Sequence, residues 1–129
     1  MEKLPAMLLA MDDVNLKAVA AQLTISVASA KVATEWIATM FPNNPAAVFA
    51  GAVHYLKLMG TVAGGWMMAR AALAAATQMK AGVGDVDYLR AKVMTTRFYA
   101  DHILTMAPSF ADALIQGAES VLQMEEALF

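Results

Sequence analysis

From Val14 to Phe41 the chain runs 28 residues without a glycine or proline, between Asp12-Asp13 and Pro42-Asn43-Asn44-Pro45. That run is far too long for a strand. Its apolar residues Leu16, Val19, Leu23, Val27, Ala30, Ile37 and Phe41 follow helical spacing, and Asp13, Lys17, Thr24, Lys31 and Glu35 fall on another face as a solvent stripe. The aspartates supply N-cap oxygens and favourable charge at the start. Lys31 and Glu35 are spaced to pair at i,i+4.

The same alphabet continues to the C-terminus. Of 129 residues 28 are Ala and 11 Met, 60% are hydrophobic and 16% charged, while Gly (7) and Pro (4) are sparse. Ala, Leu and Met are strong helix formers, and a sandwich or barrel would need β-branched and aromatic strands at frequent turns. Asn44 and Pro45 suit a helix start, so a second segment is expected from Ala46 to about Lys80. Gly60, Gly64 and Gly65 interrupt it at a cost of about 1 kcal/mol each, which predicts a kink or a close backbone approach. Gly82-Val83-Gly84 stops that segment and Asp85 opens a third, to about Met106. Ala107-Pro108 breaks the third, and Ser109 with Asp112 resembles a capping box for a fourth, with Phe110, Leu114, Gly117, Val121, Met124 and Leu128 on one face. Four amphipathic helices with short connections predict an all-α, antiparallel (up-down-up-down) four-helix bundle over residues 14–129. Residues 1–13 are expected to be an N-terminal arm, a linker or the end of a preceding helix.

The chemistry this composition permits is narrow. The net charge is −2, no basic patch occurs and there is no cysteine. Nucleic acid is therefore not an expected partner, and thiolate metal sites, disulfides and Cys nucleophiles are excluded. The lack of cysteine fits a cytoplasmic protein. Mean hydropathy is +0.53, but the apolar stretches Ala18–Ala30 and Leu58–Ala69 are bounded by Lys17, Lys31, Lys57 and Arg70 and fall short of a span. No Glu-x-x-His pair occurs, and His54 and His102 lie on different segments, so no metal site is expected. There is no Gly-x-Ser-x-Gly elbow and no strand before Gly60–Gly65 to make a dinucleotide loop. His54 followed by Lys57 resembles the phosphoacceptor helix of histidine phosphotransfer bundles, except that Leu58 stands where that family usually has Gly. His54 is thus an alternative phosphoacceptor.

Three blocks carry a broader resemblance. Tyr55-Leu56-Lys57-Leu58-Met59-Gly60-Thr61-Val62-Ala63-Gly64-Gly65-Trp66-Met67-Met68-Ala69-Arg70, then Lys92-Val93-Met94-Thr95-Thr96-Arg97-Phe98-Tyr99-Ala100-Asp101-His102-Ile103-Leu104, then Leu122–Phe129 follow in order. Together they resemble the C-terminal helical domain of acyl-CoA dehydrogenases of the branch like 3-methylmercaptopropionyl-CoA dehydrogenase. The resemblance implies a parent enzyme that binds FAD and an acyl-CoA thioester, in which a Glu carboxylate takes the α-proton while hydride leaves the β-carbon for the flavin. Those sites belong to preceding domains. No catalytic, cofactor-binding or metal residue is carried over, and the chain is expected to be an accessory domain whose Met1 need not be a native start. Its expected partners are the preceding domains and other copies of itself in a homo-oligomer. Gly60, Gly64, Gly65 and Trp66 are candidates for close helix packing or domain docking. So are Arg97, Tyr99 and His102, where Arg97 pairs with Asp101 or, together with His102, reaches a CoA phosphate. Without the resemblance the pattern supports only a soluble helical domain, and a generic helical interaction domain is a further alternative.

Overall fold

The computed structural model describes residues 3–124 and 126–128. Met1, Glu2, Glu125 and Phe129, at the outer ends of the expected arm and of the C-terminal block, lie outside the described residues. All regular structure among the described residues is helical: α1 (Lys3–Leu9), α2 (Val14–Met40), α3 (Pro45–Ala50), α4 (Ala52–Lys80), α5 (Val86–His102), α6 (Ala107–Gln116) and α7 (Ala118–Leu122), with 3-10 turns at Leu104–Met106 and Glu126–Leu128.

The predicted starts are made by side chains. Asp13 accepts from the N–H groups of Asn15 and Leu16 at 2.8 and 3.1 Å, Asn44 from Ala47 at 3.2 Å, and Asp85 from Asp87 and Tyr88 at 2.9 and 3.1 Å. Each such cap is worth about 1 kcal/mol. Gly82 (φ 68°) and Gly84 (φ 91°) turn the chain between α4 and α5 through left-handed conformations that other residues avoid. The capping box at Ser109 is not formed. The helix begins two residues earlier, at Ala107, with Pro108 in its first turn, where a missing N–H costs nothing. Lys31 and Glu35 do not meet; among the described residues the ion pairs are Lys17–Asp12 and Arg97–Asp101.

The order of packing departs from the expected bundle. Leu89 lies beside Gly84, the Thr96 hydroxyl donates to the Met68 carbonyl at 3.1 Å, Leu104 packs on Gly65, and Leu114 packs on Gly51. Progress along α5 and then α6 is therefore continuous progress down α4. The chain does not reverse at Ala107-Pro108. Ile103, Met106 and Ala107 all keep right-handed helical dihedrals and no glycine intervenes, so α5 leads through one 3-10 turn into α6 as a single jointed rod antiparallel to α4. The fourth helix at one end is α1 instead. Residues 3–9, expected within an arm or linker, form a helix folded back on α2, burying Leu4, Pro5 and Leu8.

Two cores result. One joins α1, the first half of α2, the second half of α4, and α5, through Leu8, Leu16, Leu23, Ala69, Ala72, Leu89 and Val93. The other joins the second half of α2, the first half of α4, and α6, through Ala30, Ala33, Leu58, Val62, Ala111 and Leu114. Alanine supplies many of the contact positions, and such small residues allow helices to approach at the near end of the usual 8–10 Å. Between the cores Ser26, fully buried, lies with its hydroxyl 2.8 Å from the Gln22 carbonyl and 3.1 Å from that of Leu104. It ties α2 to the joint of the third rod. By length and composition α2 is apolar enough to cross a membrane, since its flanks extend the stretch beyond Lys17 and Lys31; its inward residues are packed on the other helices.

Candidate functional site

The glycines singled out by spacing separate into different roles. Gly65 is buried, and a Cβ there would stand 2.5 Å from Leu104 Cδ2. Gly64 makes room for the Tyr99 hydroxyl, which donates to the Thr61 carbonyl at 3.0 Å. Burial raises the Tyr99 phenol above its usual pKa of 10.0 by penalising the anion. Gly60 has nothing within 4 Å of an added Cβ and faces outward. The small residues therefore admit side chains of α5 and the joint, not a facing backbone. The break in the second segment falls at Gly51, where a Cβ would strike Leu114.

On α5, Arg97 Nε donates to Asp101 Oδ2 at 2.7 Å, one turn on and partly exposed. His102 stacks against Phe98 with ring centroids 4.4 Å apart. Arg97 thus stands in the ordinary i,i+4 pair through its Nε. His54 is only part-exposed; its Nδ1 is buried with no hydrogen-bond partner among the described residues, and Lys57 lies on the surface. This differs from the exposed imidazole that the phosphotransfer resemblance implies. Among the described residues no three His, Asp or Glu side chains are grouped to hold a metal ion.

Trp66 marks a feature that spacing alone missed. It lines a groove of about 1010 Å³ between α1 and α4, floored by Val27 and Leu73, with Lys3 and Arg70 on its walls. The Arg70 guanidinium carbon sits 4.8 Å from the Trp66 ring centroid, a cation–π distance. The i,i+4 spacing of Trp66 and Arg70 was the available signal. The second wall is α1, where the sequence predicts an arm or linker.

The outward face of α4 is the other exposed feature. Leu56, Gly60, Ala63 and Met67 recur at i, i+4, i+7 and i+11, and no charged residue lies between Lys57 and Arg70. Val53, Leu56 and Met67 are each more than half exposed.

The sequence profile of the family described as acetyl-CoA dehydrogenase C-terminal like matches residues 3–125. The chain is also similar to 3-methylmercaptopropionyl-CoA dehydrogenase of Ruegeria pomeroyi (strain ATCC 700808 / DSM 15171 / DSS-3), 31% identical over 80 residues, which is 62% of this chain and 13% of that enzyme. The matched part is thus a small fraction of the relative's length. No solved structure gives a significant match. The match includes α1, which the fold makes part of the core, and runs almost to the last residue: the chain belongs to the acetyl-CoA dehydrogenase C-terminal-like family.

Proposed function

We propose that this chain is the non-catalytic C-terminal accessory domain of an FAD-dependent acyl-CoA dehydrogenase, and that it supports domain packing and oligomer assembly in the parent enzyme. Flavin and thioester chemistry belong on this reading to the preceding domains, and the residues here hold those domains in place. The observation that carries the reading is the outward face of α4. A helix exposing Leu56 and Met67 around Gly60, with no charge between Lys57 and Arg70, is the kind of surface that proteins cover. Gly60 leaves a notch between the two larger side chains into which a partner side chain fits. The family assignment and the far greater length of the relative make the preceding dehydrogenase domains the natural cover.

The test uses the double variant Leu56→Glu/Met67→Glu. In the isolated chain both positions face solvent, so helicity and melting temperature should stay close to those of the unaltered protein. In the parent enzyme the same pair should lower subunit assembly, flavin retention or turnover, read by light scattering, absorbance and dye reduction. A parent indifferent to both charges refutes docking through α4. A parent indifferent to clean removal of the whole domain refutes the accessory role itself.

A further inference from the structure

We propose that the groove between α1 and α4 binds an amphipathic monoanion: an unbranched hydrocarbon chain ending in a carboxylate, with Arg70, over Trp66, on the head and Leu73 and Met7 along the tail. The groove is open, with a volume of about 1010 Å³, and its lining is mostly apolar, with Leu4, Met7, Val27, Trp66 and Leu73 among the residues on it. Its charged lining residues among the described residues are Lys3 and Arg70, both cationic, and no described acidic side chain lines it. A purely apolar ligand would leave those cations unused, and a cationic amphiphile would be repelled by them.

Arg70 is set up for a planar anion. Its guanidinium lies over the Trp66 ring, yet among the described residues it makes no ion pair and no hydrogen bond through any of its donors. The ring contact holds the guanidinium beside the groove while its N–H donors stay without partners among the described residues, which suits a bidentate carboxylate. Leu4 and Pro5 of α1 lie beside Val27, at the level of Trp66, so Lys3 opens α1 at the Trp66 end of the groove, one turn from Arg70. Thr77 and Gln78 line the other end, about 18 Å from Trp66 along the helix. Head and tail directions are thereby assigned. The site uses residues that the α4 docking face does not, so it stands or falls separately from the accessory reading.

The experiment is titration of this chain with dodecanoate. The variant Trp36→Phe leaves Trp66 as the sole tryptophan reporter, and calorimetry on the unaltered chain gives the same isotherm if that variant fails to fold. Dodecanoate should change Trp66 emission saturably with one molecule per chain. Affinity should rise about two- to fourfold per added methylene from octanoate to dodecanoate. Arg70→Gln should weaken binding at least tenfold, and Arg70→Lys should restore part of the loss. Dodecyltrimethylammonium, with the same tail and the opposite head, should not bind at this site. The proposal is overturned if dodecanoate shows no saturable response, if the cationic amphiphile binds equally, or if Arg70→Gln changes nothing. Binding of an acidic amphipathic peptide in place of dodecanoate would also overturn it, and would make the groove a protein-docking site.

Discussion

Gly60 and Gly65 lie five residues apart on α4, and alanine at each should move stability in opposite directions. An interior helical glycine costs roughly 0.5–1 kcal/mol relative to alanine. At Gly60 nothing stands within 4 Å of the new methyl, so Gly60→Ala should collect that gain whole. The melting temperature of a domain this size should rise by about 3 °C. At Gly65 the methyl would meet Leu104 Cδ2 at 2.5 Å and Cδ1 and Cγ at 2.9 Å, and ordinary contact begins at 3.4 Å. Leu104 is 1% exposed and cannot swing into solvent. Overpacking of this kind costs about 1–3 kcal/mol. Net of the propensity gain, Gly65→Ala should lose about 0.5–2 kcal/mol, or about 2–8 °C. Thermal and urea unfolding followed at 222 nm would read both, and the double variant should be additive because the two positions point apart. If Gly65→Ala melts at or above the unaltered protein, Leu104 has room to retreat and the packing of the joint on α4 is misjudged. If Gly60→Ala is destabilising, the outward face of α4 is already covered in the isolated chain.

Four further outcomes follow from the same geometry. The protonated Tyr99 phenol is the form the fold favours, so its contribution should be complete below pH 10 and fall away as pH rises above it; Tyr99→Phe should cost about 1 kcal/mol at pH 7 and flatten that alkaline decline in urea midpoints. Ser26→Ala should cost about 1 kcal/mol in the same assay, since it unties α2 from the Leu104 carbonyl. Asp13→Ala and Asp85→Ala should each cost about 1 kcal/mol through lost caps, whereas Asp12→Ala should cost far less because Asp12 caps nothing. Arg97→Ala should stay within about 0.5 kcal/mol of the unaltered protein, as expected for a partly exposed i,i+4 pair; a larger loss would mean that Arg97 works beyond its partner Asp101.

What the sequence made legible was local. Asp13, Asn44-Pro45, Asp85 and the Gly82–Gly84 stop act within a turn of their own backbone, and each does what its chemistry requires. The direction of the next helix is not a local property. Pro108 after Ala107 predicts a break and a reversal, but proline in a first turn is equally compatible with the chain going straight on. Only the packing of Leu104 on Gly65 and Leu114 on Gly51 decides between the two. The α1 helix was hidden for a different reason. Seven residues with an internal proline have no helical stability of their own, so its conformation depends on what Leu4 and Leu8 bury against. The candidate site shows the same limit. Trp66 stands out in the sequence by its size, but its groove needs α1 as a second wall. Gly60 and Gly64 share a face by spacing, yet the position of α5 sends one to solvent and the other to a tyrosine.

The unequal construction of the three rods has a mechanical consequence. α2 and α4 are continuous beams of 27 and 29 residues, each about 40 Å long, and both cores are threaded on them. The third rod is hinged near Leu104. Load applied along the beams passes from the α1 groove to the α3–α7 end without a compliant element between. Strain across them concentrates at the joint, where the Ser26 hydroxyl and the Leu104–Gly65 contact act as the fastening. The domain is thus built as a strut with one jointed side, continuous along α2 and α4 and divided at the level of Leu104.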